Sequence, residues 1–339
     1  MTVLSVTMMM SWLAGCGGGE QPSSPPTASE PARAPGLRIA MIAKSTTNPV
    51  FVSAHWGADA AAKELSEKHG IPIQIIWMTP DHEDGQLQAT AVAQAITDRA
   101  SAILISCSDT EKCTAAINEA VDRGVPVMTF DSDAAQSKRF AFYGLDDENL
   151  GKEVMRELAG QLQKKGSVAI LAGNKDAPNL RKRVDGVRRE AALNPGITIV
   201  GTFHNPETPT EAAEEVASAQ KANPKIQGWA MIGGWALYTP RLMKELDPKK
   251  VKVVAVGGLP AQLPFIQNGL APVLLAVPTY NWGYVSVQRI FEKVHLKQEV
   301  PTILPPIQVV RVTNDNLGTF ARQLQTWGFT VPESYVKLK

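Results

Sequence analysis

The sequence predicts an α/β chain of two lobes, each a parallel sheet wrapped by helices, with a ligand cleft between them. Three observations carry this. From Leu37 onward, short apolar runs bounded by turn residues alternate with longer segments of helical character. That is the pattern of strands buried on both faces and of the helices that cover them. The alternation runs twice, once before and once after the short stretch 143–145. Finally, 339 residues exceed an ordinary single domain of ~100–200 residues.

The first half reads in order as follows. Residues 37–43, LRIAMIA, form a strand. A helix follows over 49–69, with Asn48 and Pro49 as its start signal and Gly70 as its stop. Residues 72–77 are a strand, 83–99 a helix, 102–106 a strand and 110–123 a helix. The stretch 124–133, GVPVMTFDSD, begins on a turn, runs apolar through Val127 and Phe130, and stops on Asp131 and Asp133. It is a buried strand whose carboxyl end carries two acids. In open α/β sheets, ligands sit just beyond such ends. Carboxylates buried there are costly unless something binds them.

The second half repeats the pattern. Helices are expected over 148–164, 180–193, 210–223, 235–246, 260–268, 281–294 and 315–327. Strands are expected over 167–172, 197–203, 228–232, 251–256, 273–277 and 308–312. No long linker separates the halves, so the chain is expected to cross between lobes more than once. Several strand ends carry polar residues: Asn48, Ser106, Asp131 and, after the strand ending at 172, Asn174, Asn179 and Arg183. Polar groups from both halves can therefore face one cleft.

Composition narrows the function. A formal net charge of +1 argues against a nucleic-acid or anionic-membrane surface. None of the five histidines stands at a metal-ligand spacing, and no GxSxG, GxxxxGK[ST] or GxGxxG motif follows a strand. The chain is expected to be a non-enzyme with no cofactor and no metal. Cys107 and Cys113 run from a loop into a helix. Outside the cytoplasm they can form a disulfide, but spacing does not fix the geometry.

Residues 1–15 are apolar and uncharged, and LAGC ends at Cys16. The stretch is too short to span a bilayer and resembles a bacterial lipoprotein signal, in which Cys16 becomes the lipidated first residue. One departure is that no Lys or Arg precedes Cys16. Residues 17–36, rich in Gly, Pro and Ser, read as a disordered tether.

The series NPVF at 48–51, ILISCSD at 103–109, GVPVMTFDSDA at 124–134, YGLDDENLG at 143–151 and LRKRVDGV at 180–187 resembles the periplasmic sugar-binding proteins of the ribose-binding type. These are type I solute receptors of ABC importers. The resemblance implies two Rossmann-like lobes joined by a multi-strand hinge. It implies that Asn48 bonds a sugar hydroxyl, Phe51 stacks on the ring, Asp131 takes two hydroxyls and Arg183 reaches across from the second lobe. Departures put ribose itself in doubt. Ser132 stands for an arginine, Ser106 for an asparagine, Ile232 for an asparagine, Gly257 for an aspartate and Val277 for a glutamine. The second lobe is expected to grip instead with aromatic faces, Trp235 and Trp282, with Tyr280 nearby.

The candidate ligand-binding set is Asn48, Phe51, Ser106, Asp131, Asp133, Asn179, Arg183, Trp235, Gly257 and Tyr280. Asp133 serves either the ligand or its own turn. The expected lobes are 37–143 with 279–307, and 144–278 with 308–339. The expected function is delivery of a small carbohydrate (monosaccharide, deoxy-sugar, polyol or glycoside) to an ABC permease by a monomeric, lipid-anchored envelope protein. A receptor for a chemotaxis or sensor-kinase partner would have the same sequence features.

Overall fold

The computed structural model describes residues 36–338. The signal ending at Cys16, and the tether up to residue 35, lie outside them. The first half builds β1 (Leu37–Ile42), α1 (Pro49–His69), β2 (Ile73–Trp77), α2 (Gly85–Thr97), β3 (Ala102–Ile105), α3 (Thr110–Asp122), β4 (Val127–Phe130) and β5 (Ala141–Tyr143). The second half adds α4 (Asp147–Gln161), β6 (Gly166–Ala172), α5 (Pro178–Ala192), β7 (Ile197–His204), α6 (Pro209–Ala222), β8 (Ile226–Met231), α7 (Arg241–Glu245), β9 (Lys252–Gly257) and α8 (Leu263–Gln267). It closes with β10 (Val273–Ala276), α9 (Tyr280–Val294), β11 (Val310–Val312), α10 (Leu317–Thr326) and α11 (Glu333–Val336).

The five strands of the first sheet are all parallel, in the order β2-β1-β3-β4-β5. The second sheet runs β11-β10-β9-β8-β6-β7, and only β11 is antiparallel. Strand order reverses between β1 and β3 in one sheet and between β6 and β8 in the other. Such reversals open a crevice at the carboxyl ends of the strands.

Alternation along each strand explains the two-sided burial. Ile39, Met41, Leu104 and Phe130 pack in the same core as Ala54 and Ala58 of α1 and Ile290 of α9. The neighbouring residues Ala40, Ile42, Ile103 and Ile105 pack with Val92 of α2 and Ile117 of α3.

Helix α9 follows a strand of the second sheet yet packs on α1. A Cβ on Gly57 would lie 1.9 Å from the Tyr280 carbonyl oxygen, and one on Gly283 would lie 1.8 Å from that of Ala54. The two backbones therefore touch. In the second lobe, Gly151 and Gly186 let α4 and α5 meet in the same way.

Three stretches of chain join the lobes: β5 to α4, β10 to α9, and the return to β11. In the third, the Phe142 amide donates to the Thr302 carbonyl (2.9 Å) and the Leu304 amide to the Phe142 carbonyl (3.0 Å) before the chain reaches β11.

Two expectations differ. The helix expected over 235–246 is a single 3-10 turn, Trp235–Leu237, followed by the short α7. Pro240 lacks an N–H and pushes Thr239 out of the helical region, so the two cannot fuse. The three-residue β5 and the C-terminal α11 were not expected; both are too short to show a period.

Candidate functional site

The loops at the carboxyl ends of both sheets converge on one cavity. From the first lobe it is lined by Lys44, Asn48, Phe51, Asp131 and Trp282. From the second come Asn179, Arg183, Glu207, Trp235, Tyr238 and Gly257. Its walls come from both lobes, as in proteins that enclose a ligand by hinged closure.

Asp131 ends β4 with φ 55°. The left-handed region is uncommon for a residue with a side chain, though Asp tolerates it. This turn aims the carboxylate into the cleft, where it is 3% exposed. Its Oδ2 accepts from Ser106 Oγ at 2.8 Å, and its Oδ1 accepts from Asn179 Nδ2 at 3.1 Å. Arg183 Nη2 lies 3.9 Å away. Ser106 thus acts through Asp131 and is not itself among the lining residues.

Arg183 is held from two sides. Its Nε donates to Asp147 at 2.8 Å and its Nη1 to the Ile232 carbonyl at 3.1 Å. Burial pushes the Asp147 carboxyl up to about 6, against the pull of Arg183. The neighbouring Asp146 caps α4 through the Asn149 amide.

Asn48 caps α1, accepting from the Val50 amide at 3.3 Å, and so sits at the mouth of β1. Phe51, one turn on, stacks with Trp282 at 6.2 Å between ring centroids, and Phe130 packs against both. Trp282 belongs to α9, which packs on α1. It therefore lines the first-lobe wall, which corrects the expectation that it serves the second. Its buried Nε1 has no acceptor among the described residues.

Two candidates lie elsewhere. Asp133 turns away from the cavity into an ion pair with Arg139, donated by Nη2 at 2.7 Å, and also accepts from Thr129 Oγ1 at 2.6 Å. The Tyr280 ring stacks on Tyr284 at 5.9 Å and does not line the cavity. The first turn of α9 brings Trp282 inward in its stead. Gly257 does line it, and a Cβ there would lie 2.5 Å from the Gln262 side chain.

Gln262 is one of the residues that the sequence reading missed. Fully buried, it donates to the Gly234 carbonyl (2.9 Å) and accepts from the Gly258 and Leu259 amides. The glycine-rich wall of the second lobe is built around it.

Lys44 is another. Its Nζ donates to Asn179 Oδ1 at 3.2 Å and lies 3.7 Å from Glu83 Oε1, with the side chain 2% exposed. Burial alone would depress the ammonium, but Glu83, Glu207 and Asp131 together outweigh it and raise its pKa, so it stays charged. The rule that singled out Asp131 applies equally to Lys44, one residue past the apolar run LRIAMIA.

Across the cleft, Asn174 ties the lobes. Its Nδ2 donates to Glu83 at 3.0 Å, while its amide donates to Glu207 at 3.1 Å. Burial, then the charge of Glu83, push Glu207 up to about 8. Nothing in the local sequence marks Glu207.

Cys107 and Cys113 form a disulfide with Cα atoms 5.9 Å apart. It closes the loop directly after Ser106, and the Cys107 amide donates to the Ser132 carbonyl at 3.0 Å. The β3 and β4 loops that carry Ser106 and Asp131 are thereby tied together.

Comparison with known proteins follows this geometry. The family described as periplasmic binding protein domain matches residues 39–295. The chain is 26% identical over 243 residues to the D-ribose/D-allose-binding protein of Pseudomonas aeruginosa, covering 68% of this chain and 74% of that one. It is 30% identical over 148 residues to the ribose import binding protein of Bacillus subtilis, covering 44% and 46%. Among solved structures, a carbohydrate transporter solute binding protein from Agrobacterium radiobacter in complex with D-arabinose superposes with a TM-score of 0.78. That match is at 22% identity over 86% of this chain and 98% of the other. At such identity the likeness is one of fold.

Proposed function

The chain belongs to the periplasmic binding protein family, and from that premise we propose that it is an extracytoplasmic solute-binding protein of an ABC importer. It binds a small carbohydrate (monosaccharide, deoxy-sugar, polyol or glycoside) between its lobes and hands it to a membrane permease. The observation that carries this is the convergence of Asn48 and Asp131 from one lobe with Asn179 and Arg183 from the other on a single cavity. Ionised partners make the stronger hydrogen bonds to hydroxyls, and the Phe51, Trp282 and Trp235 rings suit a sugar's C–H faces. Ribose, allose and arabinose, named for the relatives, are neutral sugars that such a set would suit.

The same reading makes the protein a monomer without catalytic activity. It takes the lobes as 37–143 with 279–307 and 144–278 with 308–339. Cys16 becomes a lipidated N-terminus, and the residues up to 36 are its tether to the envelope membrane. A thermal-shift screen of the full chain against a sugar library tests the binding. A ligand at a hundred times its dissociation constant adds about 2.7 kcal/mol to the folded state, a rise in melting temperature that is easily read. Stabilisation by amino acids or anions but by no carbohydrate would overturn the proposal.

A further inference from the structure

Part of what the second lobe brings to the cavity is main chain. Gly233 and Gly234 line it just after β8, and both are buried. A Cβ on Gly233 would lie 2.4 Å from the Trp235 ring, and one on Gly234 would lie 1.9 Å from Gln262 Nε2. Glycine therefore lets this stretch of backbone reach the cavity with Trp235 and Gln262 packed against it.

The hydrogen bonds of the stretch are uneven. The Gly234 carbonyl accepts twice, from Gln262 Nε2 at 2.9 Å and from the Leu237 amide at 3.0 Å. These two bonds hold the chain in place. The amides of Gly233 and Gly234, by contrast, have no acceptor among the described residues. Buried amides are nearly always paired, because an unpaired one has given up water for nothing.

One side chain lining the same cavity shares this condition. Trp282 is 4% exposed, and its Nε1 also lacks an acceptor. The buried Trp229, away from the cavity, donates its Nε1 to Gln220 at 2.8 Å. Unpartnered donors thus come from both lobes, on residues that line one cavity. The oxygens of a sugar are acceptors that such donors can use.

We propose that the Gly233–Gly234 main chain is a specificity determinant of the second lobe, its amides donating to sugar oxygens, and that Trp282 Nε1 donates to the same sugar from the first lobe. This rests on the carbohydrate reading above and adds to it the groups that read the sugar. A main-chain donor held in this way has no rotamer to lose on binding, which favours affinity.

The test is nuclear magnetic resonance of the full chain, labelled with 13C at the isoleucine carbonyl and 15N at glycine. Ile232–Gly233 is the one Ile–Gly step in the sequence, so the Gly233 amide is read alone. The chain is titrated with D-ribose, D-allose, D-arabinose, D-glucose and D-galactose. The expected result is that a sugar that binds moves the Gly233 amide proton downfield and slows its exchange with water by about tenfold or more. Labelling the indole nitrogens reads Trp282 in the same titration, its signal being the one lost in Trp282→Phe, and the same downfield shift is expected there. Should that variant not fold, the Gly233 amide alone decides. A bound sugar that leaves the Gly233 amide proton unmoved would overturn the proposal and leave the carbohydrate reading standing. Binding of none of the sugars would remove both.

Discussion

Asp131 concentrates the chemistry of the cleft in one residue. Its left-handed backbone, φ 55°, is tolerated by Asp and Asn but costs other side chains about 1–2 kcal/mol. Two substitutions therefore separate charge from conformation. Asp131→Asn keeps the turn and removes the charge. Sugar affinity by calorimetry is expected to fall about 10- to 100-fold, the worth of a charged hydrogen bond, with the melting temperature little changed. Asp131→Ala is expected to lose both affinity and stability. Equal melting temperatures for the two variants would show that the backbone is unstrained.

The residues legible in the sequence were those standing at the ends of long apolar runs: Asn48, Asp131 and Arg183 at the start of its helix. Glu207 and Gln262 were not legible. Their role depends on which strands lie side by side, and the neighbours β6 and β8 are separated in sequence by all of β7 and α6.

At the scale of elements, the lobes depend on helix pairs in close contact. A Cβ on Gly283 would lie 1.8 Å from the Ala54 carbonyl oxygen, and backbone cannot move aside as a side chain does. Gly283→Ala is expected to destabilise the protein by about 1–3 kcal/mol, as overpacking does, measured by urea unfolding. An unchanged midpoint would show that α1 and α9 are not in backbone contact. Replacing both Cys107 and Cys113 by serine removes a constraint on a short loop. It is expected to cost about 2 kcal/mol by chain entropy, and to weaken sugar binding by loosening Ser106 under Asp131. The same urea titration reads the first effect and calorimetry the second.

The alternation of strand and helix was legible because each element is long enough to show its period. The stretch 235–246 misled because its apolar spacing looks helical while Pro240 prevents one continuous helix. The disulfide stayed open in the sequence because six residues of separation do not determine where two side chains meet.

Over the whole molecule, closure is tied to protonation. Glu83 stands on the first lobe and Glu207 on the second, both bonded to Asn174 across the cleft, with Lys44, Asp131 and Tyr238 close by. Burial, then Glu83, push Glu207 from 4.5 up to about 8. A carboxyl whose pKa is raised on closing favours the closed form fully below its ordinary value. That contribution is lost as pH rises toward about 8. Sugar affinity is therefore expected to be tighter at pH 6 than at pH 9, by about tenfold for each pH unit between 6 and about 8. Glu207→Gln, which donates without titrating, is expected to flatten the profile. Affinity that is level from pH 6 to 9 in the unaltered chain would show that the lobes close without this pair.

A crystal structure of the chain with its sugar bound bears most directly on the convergence of the two lobes. The expected result is one sugar between the sheets, with Asp131 from one lobe and Arg183 from the other both within hydrogen-bond distance of its hydroxyls and the Phe51 and Trp282 rings against its face. A sugar held by a single lobe, or seated away from Asp131, would contradict it.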